Sequence, residues 1–240
     1  MEAMIFAAGL GTRLQNETAD KPKALVEIGG KPLLQHAIEK LTDAGVSKII
    51  VNVHHYSELV INFIQQNQWQ VPVVVSDESE KLLETGGGLK KAAPLFSKNE
   101  PVLIYNVDVL SNLDLKKVVE THIEKQALAT LVVRKRETQR YFKFDDSMQM
   151  TGWINKQTGD KKVARPETFQ DSEELAFSGI HIVHPNLFEL LPAEERFSIV
   201  KVYLELAKTE KILGFVDHSS LWMDVGKPAE LEEARQKFSV

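Results

Sequence analysis

Cysteine is absent from the 240 residues, which removes any disulfide framework and any thiolate metal site and suits a reducing, cytoplasmic setting. Excess positive charge is missing too: 29 Lys and Arg stand against 34 Asp and Glu, giving a net charge of -5 and a pI near 5.9. That balance argues against a nucleic-acid or anionic-membrane surface, both of which usually need a basic face. No apolar run approaches the roughly 18 residues of a membrane span. The apolar stretch after Glu2 is short and merges at once with glycines, so it reads as a first strand rather than a secretory signal. Internal repeats and low-complexity tracts are absent as well. What is present is 43% hydrophobic residues, ample for one α/β domain spanning 1–240 with a sizeable core.

The chain is organised around its N-terminal stretch. Met4, Ile5 and Phe6 form a short buried strand that empties into Ala7-Ala8-Gly9-Leu10-Gly11-Thr12-Arg13. The glycines let the main chain approach a ligand and aim its N–H groups at it, and Arg13, Lys21 and Lys23 gather positive charge beside them. Such a loop suits phosphate. Two better-known phosphate loops do not fit: a dinucleotide fingerprint needs glycine where Leu14 stands, and a P-loop needs Gly-Lys-Ser/Thr where Gly11 is followed by Thr12 and Arg13.

Beyond the loop, apolar spacing predicts helices over 32–44, 56–66, 115–125, 186–191, 198–207 and 229–238, and strands over 48–53, 71–75, 101–107, 129–133, 175–183 and 212–216. The alternation implies a mainly parallel sheet. Residues 141–144 and 148–154 flank Asp145-Asp146-Ser147 as a β-hairpin, within a subdomain over 134–175. Glu84-Thr85-Gly86-Gly87-Gly88 is expected as a loop entering a helix at Leu89, thin enough for a flat base to lie against Gly87 and Gly88. In isolation it would be a flexible turn. Asp108 ends an apolar central strand, where ligands bind in open α/β sheets, and Asp114 is the more natural cap for the next helix. His181 and His184 fall on opposite faces of a strand, which argues against a shared zinc site, and His54 and His55 read as strand-end or core residues.

Taken together, Ala7 to Arg13, Lys21-Pro22-Lys23, Gly29-Gly30-Lys31-Pro32 and Trp222-Met223-Asp224-Val225-Gly226-Lys227-Pro228 resemble the signatures of the sugar-1-phosphate nucleotidyltransferases. The resemblance covers essentially the whole chain. It implies a Rossmann-like, three-layer α/β fold with a mixed, mainly parallel sheet and a small β-hairpin lobe for the sugar. It also implies Mg²⁺ held by Asp108 and Asp224, with Arg13 and Lys23 acting on the phosphates. Ala7, Ala8, Gly9, Leu10, Gly11 and Thr12, with Gly87 and Gly88, would then bind nucleotide, and Asn106, Asn155, Ser178 and Gly179 would meet the sugar. The sequence departs from the family pattern at Asn155, where Glu is frequent, at Ser178, where Asn or Thr is frequent, and at Lys227, where Thr is common.

The Glu84-Thr85-Gly86-Gly87-Gly88 segment is similar to that of N-acetylmuramate-1-phosphate uridylyltransferases and of mannose-1-phosphate guanylyltransferase-like proteins. The expected reaction joins an NTP, UTP first, to a sugar-1-phosphate; a guanylyl- or cytidylyltransferase acting on mannose-1-phosphate or phosphocholine is the alternative. A non-catalytic nucleotide-sugar-binding domain is the alternative of another class, and the retained Asp108, Asp224, Arg13 and Lys23 count against it. An NAD-dependent oxidoreductase fails at Leu14, and Glu39, the acid nearest the ribose position, falls inside a predicted helix. The expected assembly is a monomer or a dimer.

Overall fold

The computed structural model describes residues 1–238, apart from the side chains of Gln15 and Asn16. Strand β1 (Glu2–Phe6) leads through the glycine-rich turn to the short strands β2 (Glu27–Ile28) and β3 (Lys31–Pro32) and to α1 (Leu33–Asp43). β4 (Lys48–Val53), α2 (Ser57–Gln66), β5 (Val73–Asp77), α3 (Glu84–Ala92) and β6 (Val102–Asn106) follow. Next come β7 (Val109–Ser111), α4 (Leu115–Lys125) and β8 (Ala129–Arg134). An antiparallel excursion of β9 (Arg140–Phe144), β10 (Met150–Asn155), β11 (Lys161–Val163) and α5 (Pro166–Phe169) returns through β12 (Glu173–Val183). The chain then forms α6 (Ile199–Leu206), β13 (Ile212–Val216), β14 (Trp222–Asp224) and α7 (Pro228–Lys237).

Local chemistry explains these boundaries. In α1, Leu33, Leu34, Ala37, Ile38 and Leu41 recur at helical spacing and are all buried, and Gly45 follows with a φ of +85° that ends the run. Asp114 caps α4 as expected, its carboxylate accepting from the N–H groups of Lys116 and Lys117 at 3.0 and 3.3 Å. β5 begins two residues later than the apolar run suggests, and the expected helix over 186–191 is a 3₁₀ coil over Pro185–Leu190.

The main sheet has the order β11-β10-β9-β12-β6-β1-β4-β5, with β8 on the other side of β12 and β13 beside β8. β6, β1, β4 and β5 are parallel, and β12 runs antiparallel to β6, β8 and β9. Alternate residues of the central strands feed two cores. Ala3, Ile5, Ile49 and Val51 pack with α1, α2, α4 and α7, whereas Met4, Ile50, Val102 and Ile104 pack with α3, α6 and the lobe. The result is the expected three-layer α/β arrangement.

β12 joins core to lobe. Ile180–Val183 lie between β6 and β8, Glu173–Leu175 pair with β9, and the register shifts between Phe177 and His181, where Gly179 has a φ of +77°. The excursion over 134–175 therefore extends the main sheet.

Two histidines are buried as neutral core residues. His181 sits with Nδ1 2.6 Å from the Tyr203 hydroxyl, and burial lowers its pKa to about 3. His122 contacts Thr130 Oγ1 at 2.9 Å, and burial, helped by nearby His184, lowers its pKa to about 4. His184 instead caps the 3₁₀ coil by accepting from the Asn186 N–H.

Because unfolded imidazoles protonate near pH ~6.5, the unfolded chain binds more protons than the folded one below that pH. Stability from these two residues is complete above pH ~6.5 and declines as pH falls toward the folded values. The urea midpoint should drop between pH 6.5 and 5.0, and His181→Gln should flatten that slope while lowering the midpoint at pH 7. An unchanged slope in the variant would show that His181 does not stay neutral.

Candidate active site

The cleft opens where the topology requires it. β1 lies between β4, which continues to β5, and β6, which continues the other way, so the C-terminal ends of β1 and β6 diverge at a switch point. A hollow of about 550 Å³ opens there. Its floor is the glycine-rich turn, with Ala7, Ala8, Gly9, Leu10, Gly11 and Thr12 all on its wall, and Arg13, Lys23, Asn106 and Asp108 complete that side.

Gly11 makes the turn possible. Its φ is +67°, and a Cβ there would lie 3.0 Å from Thr18 Cγ2 and 3.3 Å from Lys23 Cβ. The chain then enters a 3₁₀ coil over Thr12–Thr18, which bends Arg13 back toward the cleft, and Thr18 Oγ1 donates to the Gly11 carbonyl at 3.1 Å. A bidentate ion pair from Arg235 of α7 to Glu17, at 2.9 and 2.7 Å, holds this coil against the last helix.

The two sequence-distant aspartates are brought together by strand pairing. β7 and β14 form a separate antiparallel ladder in which Asp224 pairs with Val109, and the Val225 N–H donates to the Asp108 carbonyl at 2.9 Å. Asp108 forms an ion pair with Lys23, which is itself buried. Asp224 accepts from the Gly226 N–H at 3.0 Å. Burial, and then the neighbouring Asp108 carboxylate, raise the Asp224 pKa, and Lys23 and Arg13 oppose that rise. Gly226 is the hub: a Cβ there would lie 2.7 Å from Arg13 Nη2, 2.7 Å from Asp224 Oδ1 and 3.0 Å from Lys23 Nζ. Two cations and one carboxylate thus crowd one backbone position beside the cleft, and the second carboxylate, Asp108, joins them through its ion pair with Lys23.

The other expected residues are placed differently. Asn106 lines the cleft, and Gly179 supports it from behind, since a Cβ on Gly179 would lie 2.8 Å from Asn106 Nδ2. Ser178 is fully buried with its hydroxyl unpartnered, and its carbonyl accepts from Trp222 Nε1 at 3.0 Å. Asn155 is buried at the end of β10, where its side chain accepts from the Gln157 N–H at 3.0 Å and shapes the hairpin to β11, away from the cleft wall.

The triglycine segment differs most. Residues 84–92 are helix, not loop, and Gly87 and Gly88 are off the cleft wall, which takes Glu84 and Thr85 instead. The N–H groups of Gly86 and Gly87 donate to the Phe197 carbonyl at 2.9 and 3.2 Å, so they are already satisfied. A Cβ on Gly87 would overlap the Glu195 carbonyl, one on Gly86 the Phe197 ring, and one on Gly88 would lie 2.6 Å from Glu78 Oε1. Here glycine is required by close packing of a helix against the 195–197 segment.

Two residues outside the recognised motifs also shape the site. Asn52, at the C-terminal end of β4, accepts from the Ala7 N–H and donates to Glu78, each at 2.8 Å. Glu78 is buried on the cleft wall, and burial raises its pKa despite that hydrogen bond. A polar residue inside the apolar run of β4, at its ligand-facing end, was the available signal.

Gly87→Ala should cost about 1–3 kcal/mol of stability, the usual penalty for forcing atoms into a packed interior, read as a lowered melting midpoint. A stable variant altered only in nucleotide affinity would restore the base-cradle expectation.

Comparison with known proteins agrees with this geometry. Residues 2–239 match the family described as nucleotidyl transferase. The chain is 31% identical over 233 residues to a mannose-1-phosphate guanyltransferase of Yarrowia lipolytica, covering 96% of this chain and 62% of that protein. It is 31% identical over 237 residues to the N-acetylmuramate alpha-1-phosphate uridylyltransferase of Caulobacter vibrioides, covering 94% of this chain and 92% of that one. Among solved structures, HddC from Yersinia pseudotuberculosis superposes with a TM-score of 0.80 at 25% identity over 99% of both chains. A UDP-glucose pyrophosphorylase from Acinetobacter baumanii, at 17% identity, shares the fold with a TM-score of 0.82 over 99% of this chain and 92% of that one. The glycine-rich turn, the paired aspartates and these likenesses place the chain in the nucleotidyl transferase family of sugar-phosphate nucleotidyltransferases.

Proposed function

We propose that the chain transfers a nucleoside monophosphate from an NTP, with UTP preferred, to a sugar-1-phosphate, and that Mg²⁺ is its cofactor. The observation that carries this reading is the convergence of Arg13, Lys23, Asp108 and Asp224 around Gly226 at the mouth of the cleft. In the reaction an acceptor phosphate oxygen attacks the α-phosphorus, the bond to the bridging oxygen breaks, and the electron pair leaves with pyrophosphate. Two polyanions must meet, so positioning and charge decide the rate.

The donor set suits magnesium. Asp108 and Asp224 are neighbouring carboxylates; burial first, and the Asp108 charge second, raise the Asp224 pKa, and a dication at the pair would oppose both. Among the described residues no group of three or more His, Cys, Asp or Glu side chains converges. Two carboxylates with the remaining positions left to phosphate oxygens and water is the usual magnesium arrangement. When bound, the ion would polarise the α-phosphate and neutralise charge on the acceptor phosphate. The protein's own part is to hold the triphosphate with Arg13, Lys23 and the N–H groups of the Leu10–Thr12 turn.

UTP is favoured by the likeness to the Caulobacter vibrioides uridylyltransferase, 92% of whose length is matched. GTP is the second reading. It is favoured by the guanyltransferase relative and by the HddC structure complexed with GMP-PN, which superposes with a TM-score of 0.80.

Pyrophosphate release with Mg²⁺, crossing UTP, GTP, CTP and dTTP against sugar-1-phosphates and phosphocholine, tests both. Release that needs UTP and one acceptor is expected; release with GTP alone would select the second reading. Lys23→Ala and Asp108→Ala should each lower turnover by roughly 10²-fold or more, the scale of a lost transition-state donor. The melting midpoint should fall as well, since each leaves the other partner of a largely buried pair uncompensated, but with the fold retained by circular dichroism at the assay temperature. Near-normal turnover in either variant would remove the mechanism.

A further inference from the structure

A second hollow, of about 190 Å³, lies beside the cleft; Asp224, Trp222 and Arg136 border it on one side and the Lys227–Glu230 and Lys237–Glu233 ion pairs of the α7 segment on the other. It is too small for a nucleoside triphosphate and adequate for a phosphate with part of a sugar ring. Asp224 thus borders this hollow while its neighbour Gly226 lines the nucleotide cleft.

The cations around the hollow are not equivalent. Lys227 lies 3.1 Å from Glu230 and Lys237 2.7 Å from Glu233, and both lysines are exposed. Arg134, nearby on β8, is paired with Asp217 at 3.2 Å. Arg136 has no carboxylate partner among the described residues. Its one hydrogen bond runs from Nη2 to the Phe177 carbonyl at 3.1 Å, and its Nε is buried with no partner. Its guanidinium lies over the Trp222 ring, 4.6 Å from the centroid, and Trp222 is fixed in turn by its bond to the Ser178 carbonyl. A half-buried guanidinium that is held flat, short of acceptors and set beside a carboxylate of the candidate centre is a receptor for an incoming anion.

We propose that Arg136, seated on Trp222, receives the phosphate of the acceptor sugar-1-phosphate in the hollow bordered by Asp224. This rests on the transfer reading above and adds to it a separate seat for the second polyanion. Arg13 and Lys23 serve the triphosphate from the cleft, Arg136 serves the acceptor from the neighbouring hollow, and Asp224 stands between them. The direct phosphate contact is a charge-assisted, planar one that lysine reproduces only in part.

Calorimetric titration of the full chain with N-acetylmuramate-1-phosphate, N-acetylglucosamine-1-phosphate, mannose-1-phosphate and glucose-1-phosphate, and separately with UTP and GTP, tests the assignment. For the sugar phosphate that binds wild type best, Arg136→Ala should weaken binding by roughly 10- to 100-fold, the scale of lost charged hydrogen bonds. Arg136→Lys should recover part of that loss. Nucleotide affinity and melting midpoint should stay within about twofold and a few degrees of wild type in both variants. Wild-type affinity for the sugar phosphate in Arg136→Ala overturns the proposal, as does equal loss of nucleotide and sugar-phosphate binding in both variants, which would make Arg136 a structural support. Failure of wild type to bind any of the four also overturns it. The transfer reading is judged apart, by nucleotide binding and acceptor-dependent pyrophosphate release.

Discussion

The apposition of Asp108 and Asp224 is the constraint on which the rest of the structure turns. Two carboxylates in a partly buried site repel each other, and the fold opposes that repulsion with Lys23 against Asp108, Arg13 close by, and the Gly226 N–H on Asp224. Each partner comes from a different part of the chain: the turn after β1, the end of β6, and the strand β14 near the last helix. Much of the fold reads as a device for bringing these segments to one point. The parallel strands deliver the turn and Asp108, the small β7–β14 ladder delivers Asp224, and α7 secures the 3₁₀ coil through Arg235 and Glu17.

Glycine has two distinct duties here, and only one concerns ligands. At Gly11 and Gly226 the absence of a side chain leaves room for charged groups and for close approach of the main chain. At Gly86 and Gly87 it lets α3 press against the 195–197 segment, and Phe197 takes up the helix's first N–H groups. Thr85 adds to this joint by accepting from the Ile199 N–H at 3.1 Å. The cleft wall facing the turn is therefore a helix end bolted to another helix, a stiffer surface than a glycine loop would offer.

Much of this was legible in the sequence. The strand and helix periods gave the layers, since alternating and helical spacings are directly tied to burial, and the apolar run ending at Asp108 located the switch point. Arg13, Lys23 and Asp224 were readable because each sits in a dense local motif, and Asp108 because it ends the central apolar strand. What could not be read were features set by tertiary contact. The helical state of Gly86 to Gly88 depends on a partner segment more than a hundred residues away, and local propensity points the other way. The resemblance implies a sugar contact for Asn155, and what it does not convey is that the side chain also accepts from the Gln157 N–H within its own hairpin. Arg136 carries no motif, and only the surrounding pairings show that it lacks a carboxylate.

The β7–β14 ladder has a further consequence for how the molecule assembles. It pairs Ser111 with Trp222 through only three residues on each side, so it closes a very long loop with little strand pairing to offset the entropy of closure. The parallel strands and their helices nucleate over shorter separations and bury far more apolar surface. The sheet and its two cores are therefore expected to form first on folding, and the ladder that brings Asp224 to Asp108, with Trp222 in it, last.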